Sequence, residues 1–146
     1  MEERPEIIKG GLAVDDRGQL VFNNDFNFQE AGIKRFYMIQ NHTNRFIRAW
    51  HGHKKEAKYI TVLQGAAVIK TRSMDEDEND STSTILTDRH PAMLYIPKGR
   101  YNGIMNLTED TLIMVYSTTS LEESQGDDYR LSPFHWDINE WEVEYR

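Results

Sequence analysis

Short apolar runs, most of them alternating with polar residues, follow one another along almost the whole chain. They predict strands over Gly11–Val14, Leu20–Asn23, Lys34–Gln40, Phe46–His53, Ala57–Leu63 and Ala66–Arg72. Further strands are predicted over Ser83–Thr87, Ala92–Ile96, Gly103–Asn106 and Thr111–Ser117, again rich in Ile, Val, Tyr, Phe and Thr. Turn chemistry separates them, as in Asp16-Arg17-Gly18, Gln64-Gly65 and Pro97-Lys98-Gly99. Only Asn27–Gly32 and a piece within Leu121–Asp128 read as helical turns. No segment repeats at a fixed period and no linker divides residues 1–146, so the expectation is one all-β domain, a sandwich or barrel. The tail from Tyr129 to Arg146 changes character, with Trp136, Trp141 and the alternating Trp141-Glu142-Val143-Glu144-Tyr145-Arg146. That alternation predicts a terminal strand closing a sheet edge, its aromatics on the core, with a further role as a lid over a pocket.

Composition narrows the function. The chain has 146 residues, 38% of them apolar and 28% charged, which suits one folded domain with a single core. No apolar run approaches the roughly 20 residues of a membrane helix, and the opening MEERPEIIKG lacks a signal-peptide pattern. The absence of cysteine excludes disulfides, thiolate zinc sites and cysteine nucleophiles; a cytoplasmic location is the expectation. A net charge of -7 argues against nucleic acid as a partner. The charge is uneven, however: residues 1–58 carry +2 and residues 59–146 carry -9, so a small anion fits the first part. The run Asp75–Asp80 reads as a solvated loop.

Reactive side chains concentrate in Arg48-Ala49-Trp50-His51-Gly52-His53-Lys54-Lys55-Glu56-Ala57-Lys58. On an extended strand His51 and His53 share one face, about 7 Å apart. Arg35 and Tyr37 obey the same rule on the preceding strand, so the four side chains predict one polar wall inside the sandwich. Strict alternation sets Arg48 on the face opposite His51 unless a bulge intervenes.

The stretch from His51 to Gly65, followed by Pro97-Lys98-Gly99-Arg100-Tyr101-Asn102-Gly103-Ile104-Met105-Asn106, resembles the two motifs of the cupin superfamily. The resemblance implies a cupin-type double-stranded β-helix, a jelly-roll sandwich. Metal-binding cupins use two His and a Glu from the first motif and a His from the second; here Lys58 and Asn102 stand at the last two positions. A protonated lysine repels a divalent cation, so neither metal nor cofactor is expected, with Glu56 the nearest substitute ligand.

Metal-free relatives fit better. Asp15-Asp16-Arg17-Gly18, Arg48-Ala49-Trp50-His51, Lys58–Gly65, Ile96-Pro97-Lys98-Gly99 and Trp136-Asp137 resemble segments of the dTDP-4-dehydrorhamnose 3,5-epimerases. Lys34-Arg35-Phe36-Tyr37 and His51-Gly52-His53-Lys54-Lys55 are similar to the dTDP-sugar 3,4-ketoisomerases, which are also short. The epimerases place a catalytic Tyr soon after Y-x-T-T; here Tyr116-Ser117-Thr118-Thr119 is followed by Ser120-Leu121-Glu122, which leaves Tyr101 and Tyr116 as stand-ins.

The resemblance implies an isomerase acting on a dTDP-4-keto-6-deoxyhexose in cell-surface polysaccharide synthesis. It would remove a proton α to the ketone, with His51 as base, Lys58 or His53 facing the enolate oxygen, and Tyr37 as proton donor or relay. Arg17, Arg35 and Arg48 are the candidates for the diphosphate, and Asn102 and Tyr116 complete the expected binding set. Arg17 is expected to reach into a neighbouring subunit of a homodimer, as its counterpart does in the family. The competing classes are a non-catalytic sugar-binding cupin and a metal-dependent cupin oxygenase.

Overall fold

The computed structural model describes residues 3–75 and 80–146. Two five-stranded antiparallel sheets face each other, and a separate hairpin projects from them. The strands are β1 (Glu6–Lys9), β2 (Gly11–Asp15), β3 (Gly18–Phe22), β4 (Arg35–Ile39), β5 (Ile47–His53) and β6 (Lys58–Gln64). They continue with β7 (Ala66–Ser73), β8 (Ser81–Thr87), β9 (Ala92–Ile96), β10 (Arg100–Asn106), β11 (Leu112–Ser117) and β12 (Tyr129–Arg130). The first sheet runs β1-β9-β6-β11-β4, the second β12-β5-β10-β7-β8, and β2 pairs only with β3. Apart from the consecutive pair β7 and β8, neighbours within each sheet come from non-consecutive strands, which is the jelly-roll arrangement expected of the fold.

Period-two patterning explains the layers. On β6, Lys58, Ile60 and Val62 are buried while Tyr59 and Thr61 turn outward; on β11, Ile113, Val115 and Ser117 do the same between Met114 and Tyr116. Ile60, Val62, Ile113 and Val115 meet Ala67, Ile69, Leu86, Leu94, Ile96 and Ile104 to form the main core between the sheets. Each buried aliphatic side chain there contributes about 1.5–3 kcal/mol. The predicted helical turn at Asn27–Gly32 is α1 (Phe28–Ala31): the Asn27 side chain accepts from the Gln29 and Glu30 amides, and Gly32, at φ 69°, closes it. The second helix, α2 (Leu121–Ser124), is one capped turn held by Ser120 and Glu123.

Three expectations are corrected. The strand β1 was not legible, because Glu6-Ile7-Ile8-Lys9 is too short to show alternation and is fixed by pairing with β9. The segment Trp141–Arg146 forms no strand. Trp141 instead packs with Trp50, Val68 and Met105 on the back of the second sheet, beside Tyr101 and Trp136. Its indole N–H and that of Trp50 both donate to the Pro133 carbonyl, at 3.0 and 3.2 Å, which anchors the tail there. The tail therefore covers the outside of the second sheet, not a pocket between the sheets. Within Asp75–Asp80, residues 76–79 lie outside the described residues; Asp80 is no free loop charge, since it pairs with buried Arg100 at 2.9 Å.

Candidate active site

Between the sheets lies a cavity of about 360 Å3 lined by Tyr37, Gln40, Arg48, His51, Lys58 and Asn102 over an apolar floor that includes Ile60, Ile104 and Val115. Both sheets contribute: Tyr37 and Lys58 come from β4 and β6 of the first, and Arg48, His51 and Asn102 from β5 and β10 of the second. Any molecule in this space meets a histidine on one wall and a lysine and a tyrosine on the other.

A bulge brings Arg48 and His51 together. On β10, Asn102 faces His51 and Ile104 faces Arg48, so Ala49 and Trp50 together oppose the single residue Gly103. The extra residue restores parity, and Arg48 turns to the cavity despite lying three positions from His51. Its Nε donates to Asn41 Oδ1 at 2.6 Å, which leaves the terminal nitrogens of the guanidinium for an oxyanion.

Burial pushes the His51 imidazole down to about 4, and the Lys58 ammonium and the Arg130 guanidinium add to the effect against the Asp128 carboxylate. The ring is therefore neutral at physiological pH and has a lone pair to accept a proton. Asn102 Nδ2 donates to the His51 carbonyl at 3.1 Å and so ties β10 to the strand carrying His51. Lys58 is buried, and its nearest acid is Glu56, with Nζ 3.9 Å from Oε2.

The other predicted residues are placed differently. His53 shares the strand with His51 but does not line the cavity: its Nδ1–H donates to the Asp127 carbonyl at 2.6 Å, and Nε2 lies 3.3 Å from Glu56 Oε2. Burial and the Lys58 charge also lower its pKa, opposed by Asp127 and Glu56. Arg35 is a structural cation here, donating to Glu56 Oε1 at 2.9 Å and to the Thr119 carbonyl at 3.0 Å. Tyr116 points away from the cavity, against Phe26 and Phe28 on the outer face of the first sheet. Tyr101 lies under the C-terminal tail against Trp136, so neither stand-in tyrosine meets the cavity. Arg17 sits at the tip of the β2–β3 hairpin, doubly bonded to Asp15 and away from the cavity of its own chain.

Two residues escaped the sequence reading. Gln40 lines the cavity from the end of β4. Asp127 accepts from the backbone amides of Lys54, Lys55 and Glu56 at 2.8, 3.0 and 3.2 Å and fixes the turn between β5 and β6. Burial works against its charge, but the three amides outweigh it and hold the carboxyl below the usual range. No local pattern around Gly126-Asp127-Asp128 advertises a partner more than 70 positions away. Among the described residues, no three His, Asp or Glu side chains converge as a metal cage, and no helix is long and apolar enough to cross a membrane.

The family described as "FdtA: WxcM-like, C-terminal" matches residues 4–132. No curated protein matches the chain in sequence. Among solved structures it resembles QdtA, a sugar 3,4-ketoisomerase from Thermoanaerobacterium thermosaccharolyticum in complex with TDP. The two share 24% identity over 92% of this chain and 93% of that one, with a TM-score of 0.67. It also resembles a dTDP-4-dehydrorhamnose 3,5-epimerase from Bacillus anthracis str. Ames with TDP and PPi bound, at 20% identity, 97% and 84% coverage and a TM-score of 0.75. NovW, a 4-keto-6-deoxy sugar epimerase from Streptomyces spheroides, aligns at 16% identity, 90% and 71% coverage and a TM-score of 0.77. At these identities the likeness establishes a shared sandwich fold.

Proposed function

The chain belongs to the WxcM-like, C-terminal family, and from that premise we propose that it is a cofactor-independent isomerase of a nucleotide-diphospho 4-keto-6-deoxyhexose. The observation that carries the reading is the cavity in which neutral His51 faces Lys58 and Tyr37 from the opposite sheet, with Arg48 alongside. The solved relatives crystallised with TDP, or with TDP-4-keto-6-deoxyglucose, support the substrate class.

The chemistry follows from these groups. His51 takes the proton from the carbon next to the ketone, and the electron pair moves into the carbonyl to give an enolate. A base of such low proton affinity is effective only if the enolate is strongly stabilised. The buried Lys58 ammonium supplies this stabilisation in a site of low dielectric. Arg48 holds the diphosphate, and Asn102 and Gln40 offer hydrogen bonds to sugar hydroxyls. His51 then delivers the carbon-bound proton to the former carbonyl carbon, while the hydroxyl proton on the neighbouring oxygen passes to the old carbonyl oxygen. The net result is exchange of ketone and alcohol, with no atom gained or lost. Tyr37 is the proton carrier between the two oxygens.

Ketoisomerisation is favoured over 3,5-epimerisation by the surroundings of Tyr37. It is the only tyrosine among the cavity-lining residues, and the segment after Thr119 turns into α2 without lining the cavity. Near-complete mutual coverage with the ketoisomerase supports the same choice.

The test is proton NMR of dTDP-4-keto-6-deoxyglucose in D2O with the protein and with His51→Ala. A 3-keto product from the wild type alone is expected. Deuterium at C3 or C5 with inverted stereochemistry would make the protein an epimerase, and no exchange at all would leave a sugar-binding module.

A homodimer belongs to the same reading. Its support is apolar surface on the hairpin and on edge strand β4, where Val14, Leu20 and Phe36 are 70%, 64% and 67% exposed. Light scattering at two concentrations tests it. A role in cell-surface polysaccharide synthesis is carried over from the family resemblance.

A further inference from the structure

Behind the cavity wall, a buried carboxylate gathers two cations and a histidine. Glu56 is 3% exposed, lies in the turn between β5 and β6, and touches side chains from four strands. Its Oε1 accepts from Arg35 Nη2 of β4 at 2.9 Å and from the Ser117 hydroxyl of β11. With Oε1 so occupied, Oε2 is turned to His53 Nε2 of β5 at 3.3 Å and to Lys58 Nζ of β6 at 3.9 Å. The turn that carries Glu56 is itself pinned by Asp127, whose carboxylate receives the Glu56 amide. Glu56 does not line the cavity, whereas Lys58 does.

A buried ammonium without a counter-ion is costly, and it either gives up its proton or pulls water and its own side chain toward solvent. Glu56 is the acid that ion-pairs with Lys58, and Arg35 and Ser117 fix where that acid stands. We propose that Glu56 is a positioning residue: its Oε2 holds the Lys58 ammonium, charged, at the wall of the cavity where an enolate oxygen would lie. This rests on the role of Lys58 given above. His53 has a secondary part in the same arrangement. Held by the Asp127 carbonyl on one side, it fills the space beside Oε2 and keeps water from it.

The variant Glu56→Gln keeps the shape. Its amide oxygen still accepts from Arg35 and Ser117, and its NH2 finds the His53 Nε2 lone pair, which has no hydrogen-bond partner in the present structure. What is lost is the charge opposite Lys58, together with the acceptor oxygen that faced its ammonium. The expected result is a kcat lowered about tenfold or more with KM changed by less than about threefold, because the interaction lost acts on the enolate and not on the diphosphate. The alkaline limb of the kcat profile is expected to move to lower pH. Arg35, Tyr37, His51, His53 and Asp127 face the pair, Tyr37 with its ring 6.0 Å from Lys58 Nζ, so the 15N signal of the lysine is what assigns that movement to Lys58. Glu56→Asp, which keeps the charge but is one methylene shorter, should restore part of kcat. It also carries the test alone if Glu56→Gln does not fold, with a smaller loss of kcat expected.

A substrate-free arm separates this inference from the function it rests on. With lysine labelled in 15N, the Lys58 ammonium signal of the intact protein is expected to shift in Glu56→Gln and to return toward its wild-type place in Glu56→Asp. Such a shift in a protein that turns over no nucleotide sugar would sustain the positioning role while removing the proposed reaction. Wild-type kcat, pH profile and Lys58 signal in folded Glu56→Gln would overturn it and leave Glu56 as packing alone.

Discussion

Arg48 and His51 lie three positions apart on β5 and yet line the same cavity, because Ala49 and Trp50 together oppose only Gly103 on the neighbouring strand. The bulge brings onto one strand face a guanidinium and an imidazole that strict alternation would separate. It also places the Trp50 ring, which is 1% exposed, on the back of the sheet against Trp136 and Trp141.

Gly103 is the residue that this arrangement cannot replace. A Cβ there would meet Ala49 Cβ at 2.6 Å and Trp141 Cζ2 at 2.7 Å. Gly103→Ala is expected to destabilise the fold by about 1–3 kcal/mol, as overpacking does. That corresponds to a fall in Tm of roughly 5 °C by calorimetry. Turnover should fall further than stability explains, since the bulge sets the line of Arg48 against His51. A Tm equal to wild type would show that Trp141 moves aside freely.

Arg48→Ala is expected to weaken binding of TDP alone by about tenfold or more, measured by titration calorimetry. For the sugar nucleotide, KM should rise while kcat changes little, because the diphosphate is held equally in ground and transition states. Equal TDP affinity in the variant would move the phosphate site elsewhere, with Arg17 of a neighbouring subunit the next residue to test.

The depressed proton affinity of His51 makes two pH predictions. The acidic limb of kcat/KM should fall near pH 4, not near 6.5, and Lys58→Met should move it upward by removing a repelling charge. Stability follows the same linkage: the folded state binds this proton less readily than the unfolded chain. The contribution is therefore fully present above about 6.5 and is lost as pH falls toward about 4. Tm measured over that range should decline less in His51→Gln than in wild type; identical slopes would contradict the assignment.

Asp127→Ala removes the acceptor of three backbone amides and leaves them without a partner in the β5–β6 turn. A loss of about 2–4 kcal/mol is expected from urea unfolding, with Asp127→Asn less severe because one amide oxygen remains. Hydrogen exchange at the Lys54, Lys55 and Glu56 amides should accelerate in step. Unchanged exchange there would show that the turn is held by β5 and β6 alone.

Much of the architecture was legible in local pattern. Alternation along Lys58–Gln64 and Leu112–Ser117, the caps at Asn27 and Gly32, and the turn glycines are properties of neighbouring residues, and they yielded an all-β sandwich with the correct strands in most places. The spacing of Arg35, Tyr37, His51 and His53 predicts a single polar wall, whereas β4 and β5 lie in opposite sheets, so Tyr37 and His51 face each other across the cavity. What spacing does not encode is depth. Tyr37, His51 and Lys58 reach the cavity, while Arg35 and His53 end on Glu56 behind it.

Chain-distant partners were out of reach for a related reason. Asp127 meets residues 71 to 73 positions away, and Tyr116 faces Phe26 and Phe28 instead of the cavity through the parity of β11 within its sheet. The tail reads as a strand because Trp141, Val143 and Tyr145 alternate with Glu and Arg, yet it joins no ladder, and its indoles pack on the back of the second sheet. The sequence by itself determined the elements, the fold class and the chemical types gathered at the site, since these follow from short-range periodicity and residue chemistry. Tertiary structure alone decided which of those side chains share the cavity and which carboxylate stands behind the lysine. Those outcomes depend on a two-for-one bulge and on contacts between strands that no local period records.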